Sequence, residues 1–183
     1  MSEITFASMA RASREELERI FAAGILPDLE QLAGWEFRGH NPPAWAKAAG
    51  ITKFKKGFFR KSTGPFRYEG YNIPVKVSSI SEPWECKPSN ANPKRFGFYA
   101  VMPSSEARDA KDRRYDNAIF LNYAAAPENP RLDPSRVIKD YVVQVEGNPD
   151  LFLGKAFLTV GPARVFSNFF LLERDCQTNF TGS

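Results

Sequence analysis

His40 is the only histidine in 183 residues, so any chemistry that needs an imidazole must come from it. It ends a strand-like run, beside Asn41 and the pair Pro42-Pro43. An imidazole titrates near neutrality and at that position offers a proton shuttle, a ligand contact or an axial bond to haem iron. A turn histidine bonded to a backbone carbonyl is the plainer alternative. The run Lys53 to Lys61 is a second source of chemistry. Alternation places Phe54, Lys56, Phe58 and Arg60 on one face and Lys55, Gly57, Phe59 and Lys61 on the other. One basic side chain, Lys56, is therefore a candidate to point inward, and a buried cation needs a partner. Asp140 is the candidate partner; Asp140 and His40 are also the weak candidates for catalysis. An exterior, solvated lysine stripe is the competing reading. Tyr68, Tyr99, Tyr123 and Tyr141 fall on different strand-like segments, and each carries an apolar ring with one hydrogen-bonding tip. Asn122 and Asn168 lie mid-strand, where asparagine is disfavoured unless it faces a ligand or an exposed edge. These residues, with His40 and Lys56, are the expected ligand contacts.

Other chemistries lack their signatures. The chain has no Gly-x-Ser-x-Gly, phosphate loop or dinucleotide fingerprint. Two cysteines and one histidine are too few for a four-ligand structural zinc site. No metal or other cofactor is expected, and haem would depend on His40 alone. A net charge of +4 is too small an excess to imply nucleic acid, but it permits an anionic ligand such as a carboxylate. No basic n-region precedes an apolar run, and no stretch approaches the ~18 apolar residues of a membrane span. The expected location is the cytoplasm, with Cys86 and Cys176 as free thiols.

The elements that must position these groups read as mainly β. Sixteen Phe, six Tyr and three Trp suit sheets and an apolar cavity, and fourteen Pro oppose long helices. Residues 13–23 form a helix, with Ser13 as N-cap, Glu16 completing a capping box and Gly24 as the stop. A helical turn is expected at 28–32, a first strand at 34–38, and a short helix at 43–50 between Pro43 and Gly50. Strands are then expected at 53–61, 66–69, 73–80, 95–102, 117–123, 136–145, 151–160 and 164–174. The mixed charges from Ser105 to Asp116 mark a solvated loop or helical turn. Closely spaced strands with tight turns and no intervening helices predict a single domain over 1–183: an antiparallel up-and-down β-barrel of 8–10 strands. Residues 1–32 form a helical segment packed on or capping it. Strands 151–160 and 164–174 are apolar on both faces, so their outer face must be covered by the N-terminal helix, by a second copy of the barrel, or by both. A homodimer therefore stays open.

Gly34-Trp35 with the terminal Glu173-Arg174 resembles the lipocalin (calycin) pattern, in which a Trp plugs the closed end of the barrel and an Arg of the last strand lies across it. Carried over, Trp35 is the plug and Arg174 its cation–π partner. Gly and Trp are adjacent here, which leaves Phe37 as the alternative plug. The chain is also similar to uncharacterised bacterial lipocalin-like Gly-x-Trp-x-Gly proteins through Gly39-His40-Asn41-Pro42, Lys55-Lys56-Gly57-Phe58, Ile138-Lys139-Asp140-Tyr141, Leu153-Gly154-Lys155 and Phe170-Leu171-Leu172-Glu173-Arg174. That resemblance implies the fold and carries no activity. The functional expectation is binding of a small hydrophobic molecule (fatty-acid, polyketide or isoprenoid-like) in a barrel cavity, with a carboxylate or carbonyl as its polar part. The alternative is a cyclase or isomerase that templates such a substrate.

Overall fold

The structure is a computed structural model that describes residues 4–42 and 52–182. Eight antiparallel strands close in chain order: β1 (Trp35–His40), β2 (Lys53–Arg60), β3 (Tyr68–Pro74), β4 (Phe96–Pro103), β5 (Ile119–Asn122), β6 (Ile138–Gln144), β7 (Leu151–Val160) and β8 (Ala163–Gln177). The first and last strands pair, with Arg38 opposite Glu173 and Gly39 opposite Leu172, and this pairing removes the sheet edges. Gly34 makes the turn into β1 at φ 83°, in the left-handed region. Its N–H donates to the Phe58 carbonyl at 2.8 Å, and its own carbonyl accepts from Thr178 N–H at 2.9 Å.

Three helices precede the barrel: α1 (Phe6–Met9), α2 (Arg14–Ala23) and α3 (Leu29–Leu32). Ser13 caps α2 by accepting from Glu16 N–H at 3.2 Å. The reciprocal capping box, expected at Ser13 and Glu16, forms instead at α1, where Thr5 and Ser8 satisfy one another. The expected helix at 43–50 lies outside the described residues. Among the described residues no helix is long and apolar enough to cross a membrane.

The barrel wall is apolar on both sides, so the molecule has an inner and an outer core. The inner core gathers Phe37, Phe58, Tyr99, Leu121, Tyr123, Phe152 and Phe170, with Leu32 of α3 beneath them. On the outside, Phe6 and Met9 of α1 and Leu17 and Phe21 of α2 cover Val143, Leu153, Phe169 and Leu171. The N-terminal segment thus supplies the cover that the two-sided strands require.

Two sequence expectations change. Segments 66–69 and 73–80 are not two strands; the strand is Tyr68–Pro74. The alternating residues after it belong to a long connection that folds Trp84 and Cys86 back against the outer wall. Plain alternation along 164–174, which sets Val165, Phe169 and Leu171 on one face and Phe166, Phe170 and Leu172 on the other, also needs correction. Ala156 pairs with Asn168 but Phe157 pairs with Phe166, so Ser167 is an extra, bulged residue. Phe166 therefore lies outside with Phe157 and Phe169, while Asn168 shares the inner face with Phe170.

Candidate functional site

The two ends of the barrel are built differently. At the lower end, where α3 leads into β1, Phe37 is fully buried and meets Phe58 and Phe152 edge-on at centroid distances of 5.4 and 5.2 Å. The Arg174 guanidinium lies 4.6 Å from the Trp35 ring centroid and 5.5 Å from that of Phe37. It is held by the Asp150 carboxylate at 2.8 Å and the Gln31 carbonyl at 3.0 Å. The ring and cation expected of Trp35 and Arg174 are in contact. Trp35 is nevertheless only half-buried, and the ring that fills the lower end is Phe37.

At the upper end, where β1 finishes and β2 begins, the interior holds a cavity of about 190 Å³. Phe54, Phe96, Ile138, Ala156 and Phe170 supply its apolar wall, and Asn41, Lys56, Asn72, Tyr123, Ser135, Asp140 and Asn168 its polar groups. A larger hollow on the surface, of about 740 Å³ around the β2–β3 turn, is lined by residues none of which is buried.

Alternation along β2 sends Lys56 inward between Phe54 and Phe58, and alternation along β6 sends Asp140 inward between Ile138 and Val142. Both are buried, at 3% exposure each. Lys56 Nζ donates to Tyr123 Oη at 2.5 Å and to Asn72 Oδ1 at 2.9 Å, and faces Asp140 Oδ2 at 3.2 Å. Tyr123 in turn donates to Asp140 Oδ2 at 2.9 Å. The Asn72 amide is fixed by the Gly97 carbonyl at 2.9 Å. Beneath the ammonium lies the Tyr99 ring, 4.7 Å from its centroid, with the phenol donating to the Gly57 carbonyl at 3.1 Å. Tyr99 lies over Gly70 of the neighbouring strand, where a side chain would collide with the ring.

Removal from water dominates the electrostatics. Burial pushes the Asp140 carboxyl above the usual carboxylate range, opposed by Lys56 and by the Tyr123 hydrogen bond. Burial likewise pushes the Lys56 ammonium down, opposed by Asp140. The phenols of Tyr99 and Tyr123 are raised by burial and then by the Asp140 charge. Asp140 Oδ1, the other carboxylate oxygen, is buried and has no hydrogen-bond partner among the described residues.

Of the residues singled out from sequence, Lys56, Tyr99, Tyr123, Asp140 and Asn168 converge on the interior. The others do not. His40 points to the outer face, 6.4 Å from the Phe6 ring, and does not line the cavity, so a group bound there would not meet the imidazole. Burial pushes the His40 pKa below its ordinary value. Asn122 faces outward and accepts from Lys139. Tyr141 is also outside, stacked on Phe120 at 5.2 Å, because Asp140 takes the inward position beside it. Tyr68 belongs to the lower end, hydrogen-bonded to Glu30. The sequence reading missed Asn72. The signal it applied to Asn122 and Asn168, an asparagine inside a strand, is equally present in Tyr71-Asn72-Ile73.

Among the described residues no three His, Cys, Asp or Glu side chains gather as a metal site. Cys86 and Cys176 are free thiols, and burial pushes Cys176 up to about 11. Comparisons with protein-family models, with curated proteins and with solved structures find no match. The fold is a closed eight-stranded antiparallel barrel, consistent with a lipocalin-like architecture and compatible with binding a small ligand.

Proposed function

We propose that this protein binds a compact, largely apolar molecule in the upper cavity. The observation behind this reading is the pairing of an aromatic wall (Phe54, Phe96, Phe170) with a few converging polar groups, the usual composition of a small-molecule site. Burial of the ligand's apolar surface supplies the affinity at roughly 25 cal/mol per Å², and the polar groups set orientation. The volume narrows the expected ligands. Pockets for larger organic ligands run from about 300 Å³ upward, and a cavity of about 150 Å³ accepts a benzene ring. At about 190 Å³ this one suits a single ring or a short branched isoprenoid or polyketide unit.

Native mass spectrometry of protein purified from its own source, followed by denaturing extraction, tests the reading. The expected result is a stoichiometric extra mass of a compact ligand that leaves on denaturation and is lost when Ala156→Phe fills the cavity. A ligand retained in folded Ala156→Phe protein would put the binding site elsewhere.

One observation favours turnover as the second reading. Asp140 and Lys56 are an acid and a base whose burial drives their proton affinities toward each other, a pattern frequent in sites of proton transfer. An isomerase or cyclase would need little more than that pair and a shaped cavity. It predicts that Tyr123→Phe or Asp140→Asn abolishes conversion of the extracted ligand while binding persists.

A further inference from the structure

Most of the polar groups at the cavity already spend their hydrogen bonds on one another. The three protons of Lys56 face three acceptors: Asn72 Oδ1, Tyr123 Oη and Asp140 Oδ2. The Tyr123 proton goes to Asp140 Oδ2. The Asn168 amide donates to Asn41 Oδ1 at 3.0 Å and to the Phe169 carbonyl at 2.9 Å. The donors of Lys56, Tyr123 and Asn168 are therefore committed, while the Ser135 hydroxyl, also at the cavity wall, is buried without a partner among the described residues. The carboxylate oxygen left over is Asp140 Oδ1, on a side chain only 5% exposed, lining the cavity and without a partner. A buried acceptor in that state carries a desolvation penalty that a matching donor removes.

Charge narrows the choice. Lys56 faces Asp140 Oδ2 at 3.2 Å and Tyr123 also donates to Oδ2, an arrangement that matches an ion pair with Oδ1 left as the acceptor. A ligand carboxylate would bring a second negative charge toward Oδ1 and find no free cation. A ligand ammonium would leave a net positive charge in an apolar enclosure. A carbonyl or ether could accept from Ser135 Oγ but would leave Asp140 Oδ1 without a donor. A neutral donor alone adds a charge-assisted hydrogen bond without adding charge.

We propose that the ligand of this cavity carries a neutral hydrogen-bond donor, a hydroxyl or an amide N–H on its compact apolar body, and that Asp140 Oδ1 accepts it. The proposal rests on the cavity being a ligand site, and it replaces the carboxylate or carbonyl head expected from sequence with the opposite polarity. Lys56 then acts as a positioning residue. It holds the carboxylate with Oδ2 spent and Oδ1 presented, rather than gripping the ligand itself.

The test is isothermal titration of the full chain at pH 7 with five ring-sized probes: phenol, toluene, benzaldehyde, benzoate and benzylamine. Phenol is expected to bind at least tenfold tighter than toluene and benzaldehyde, the scale of a hydrogen bond to a charged group, and benzoate and benzylamine more weakly than toluene. Asp140→Asn should reduce the advantage of phenol to less than threefold and leave toluene binding in place. Should that variant fail to fold, the carboxylate carbon-13 shift of Asp140 on adding phenol to the unaltered protein reads the same bond. Equal binding of phenol and toluene, or a preference for benzaldehyde, benzoate or benzylamine, overturns the donor assignment while the cavity remains a site. Binding of none of the five overturns the ligand-site reading, and this proposal with it.

Discussion

The two ends of this barrel solve the same packing problem with opposite materials. The lower end is closed by rings: Phe37, Phe58 and Phe152 meet edge-on, and Arg174 is kept at the rim, where the Asp150 carboxylate can hold it. The upper end buries an ion pair, a phenol and two amides around about 190 Å³ of space. Apolar plugging gains free energy with every methylene group. A buried ion pair at best returns the cost of its own desolvation. The contrast separates a part of the barrel specified for stability from a part specified for something else, and the second is where ligand chemistry belongs.

The contrast breaks most sharply through the plug. Phe37→Ala should destabilise the fold by about 3–5 kcal/mol, and Trp35→Ala, at a half-buried ring, by clearly less. Urea unfolding of both variants decides it, and a larger loss for Trp35→Ala would return the role of plug to Trp35. At the other end, Lys56→Met strands the Asp140 carboxylate and should cost about 3 kcal/mol or more, whereas Lys56→Met with Asp140→Leu should recover most of that loss. If the double variant is as unstable as the single one, the pair is structural rather than functional. Arg174→Met removes an interaction at the rim of the plug and should lower stability by only about 1 kcal/mol.

The smallest effect is on the outside of the upper end. Burial lowers the pKa of His40, so its contribution to stability is whole above about 6.5 and is lost as pH falls through the folded value. The stability difference between the native protein and His40→Gln should shrink between pH 7 and pH 5. A difference independent of pH would mean that the imidazole is not desolvated by α1.

Much of the barrel was legible before any coordinates. Period-two alternation and closely spaced turn signals announce an antiparallel barrel, which the structure closes by pairing Gly39 with Leu172. Ser13 announces α2, and the lysine run followed by Asp140 announces an inward pair. The sequence was less informative wherever one residue shifts the frame. Alternation carried past Pro74 reads Val75 to Ile80 as strand, although the connection's backbone leaves the sheet to cover the wall. There Lys53 Nζ is captured by Ser78 Oγ at 2.6 Å and by the Ser79 carbonyl at 2.9 Å. The bulge at Ser167 puts Phe166 on the face opposite to Asn168 and Phe170, and nothing local in Val165-Phe166-Ser167-Asn168 marks it.

The sequence by itself determined most of the strand segments, that the last two are apolar on both faces, and that one lysine and one aspartate would have to meet if they turned inward. Those properties follow from local periodicity and from the cost of burying an unpaired charge. Only the tertiary structure decided which tyrosines and asparagines share the interior, that His40 and Tyr141 stand outside, and that one oxygen of Asp140 is left without a donor. Facing depends on register, register on bulges, and the saturation of a polar group on atoms contributed by β2, β3, β5 and β6 at once.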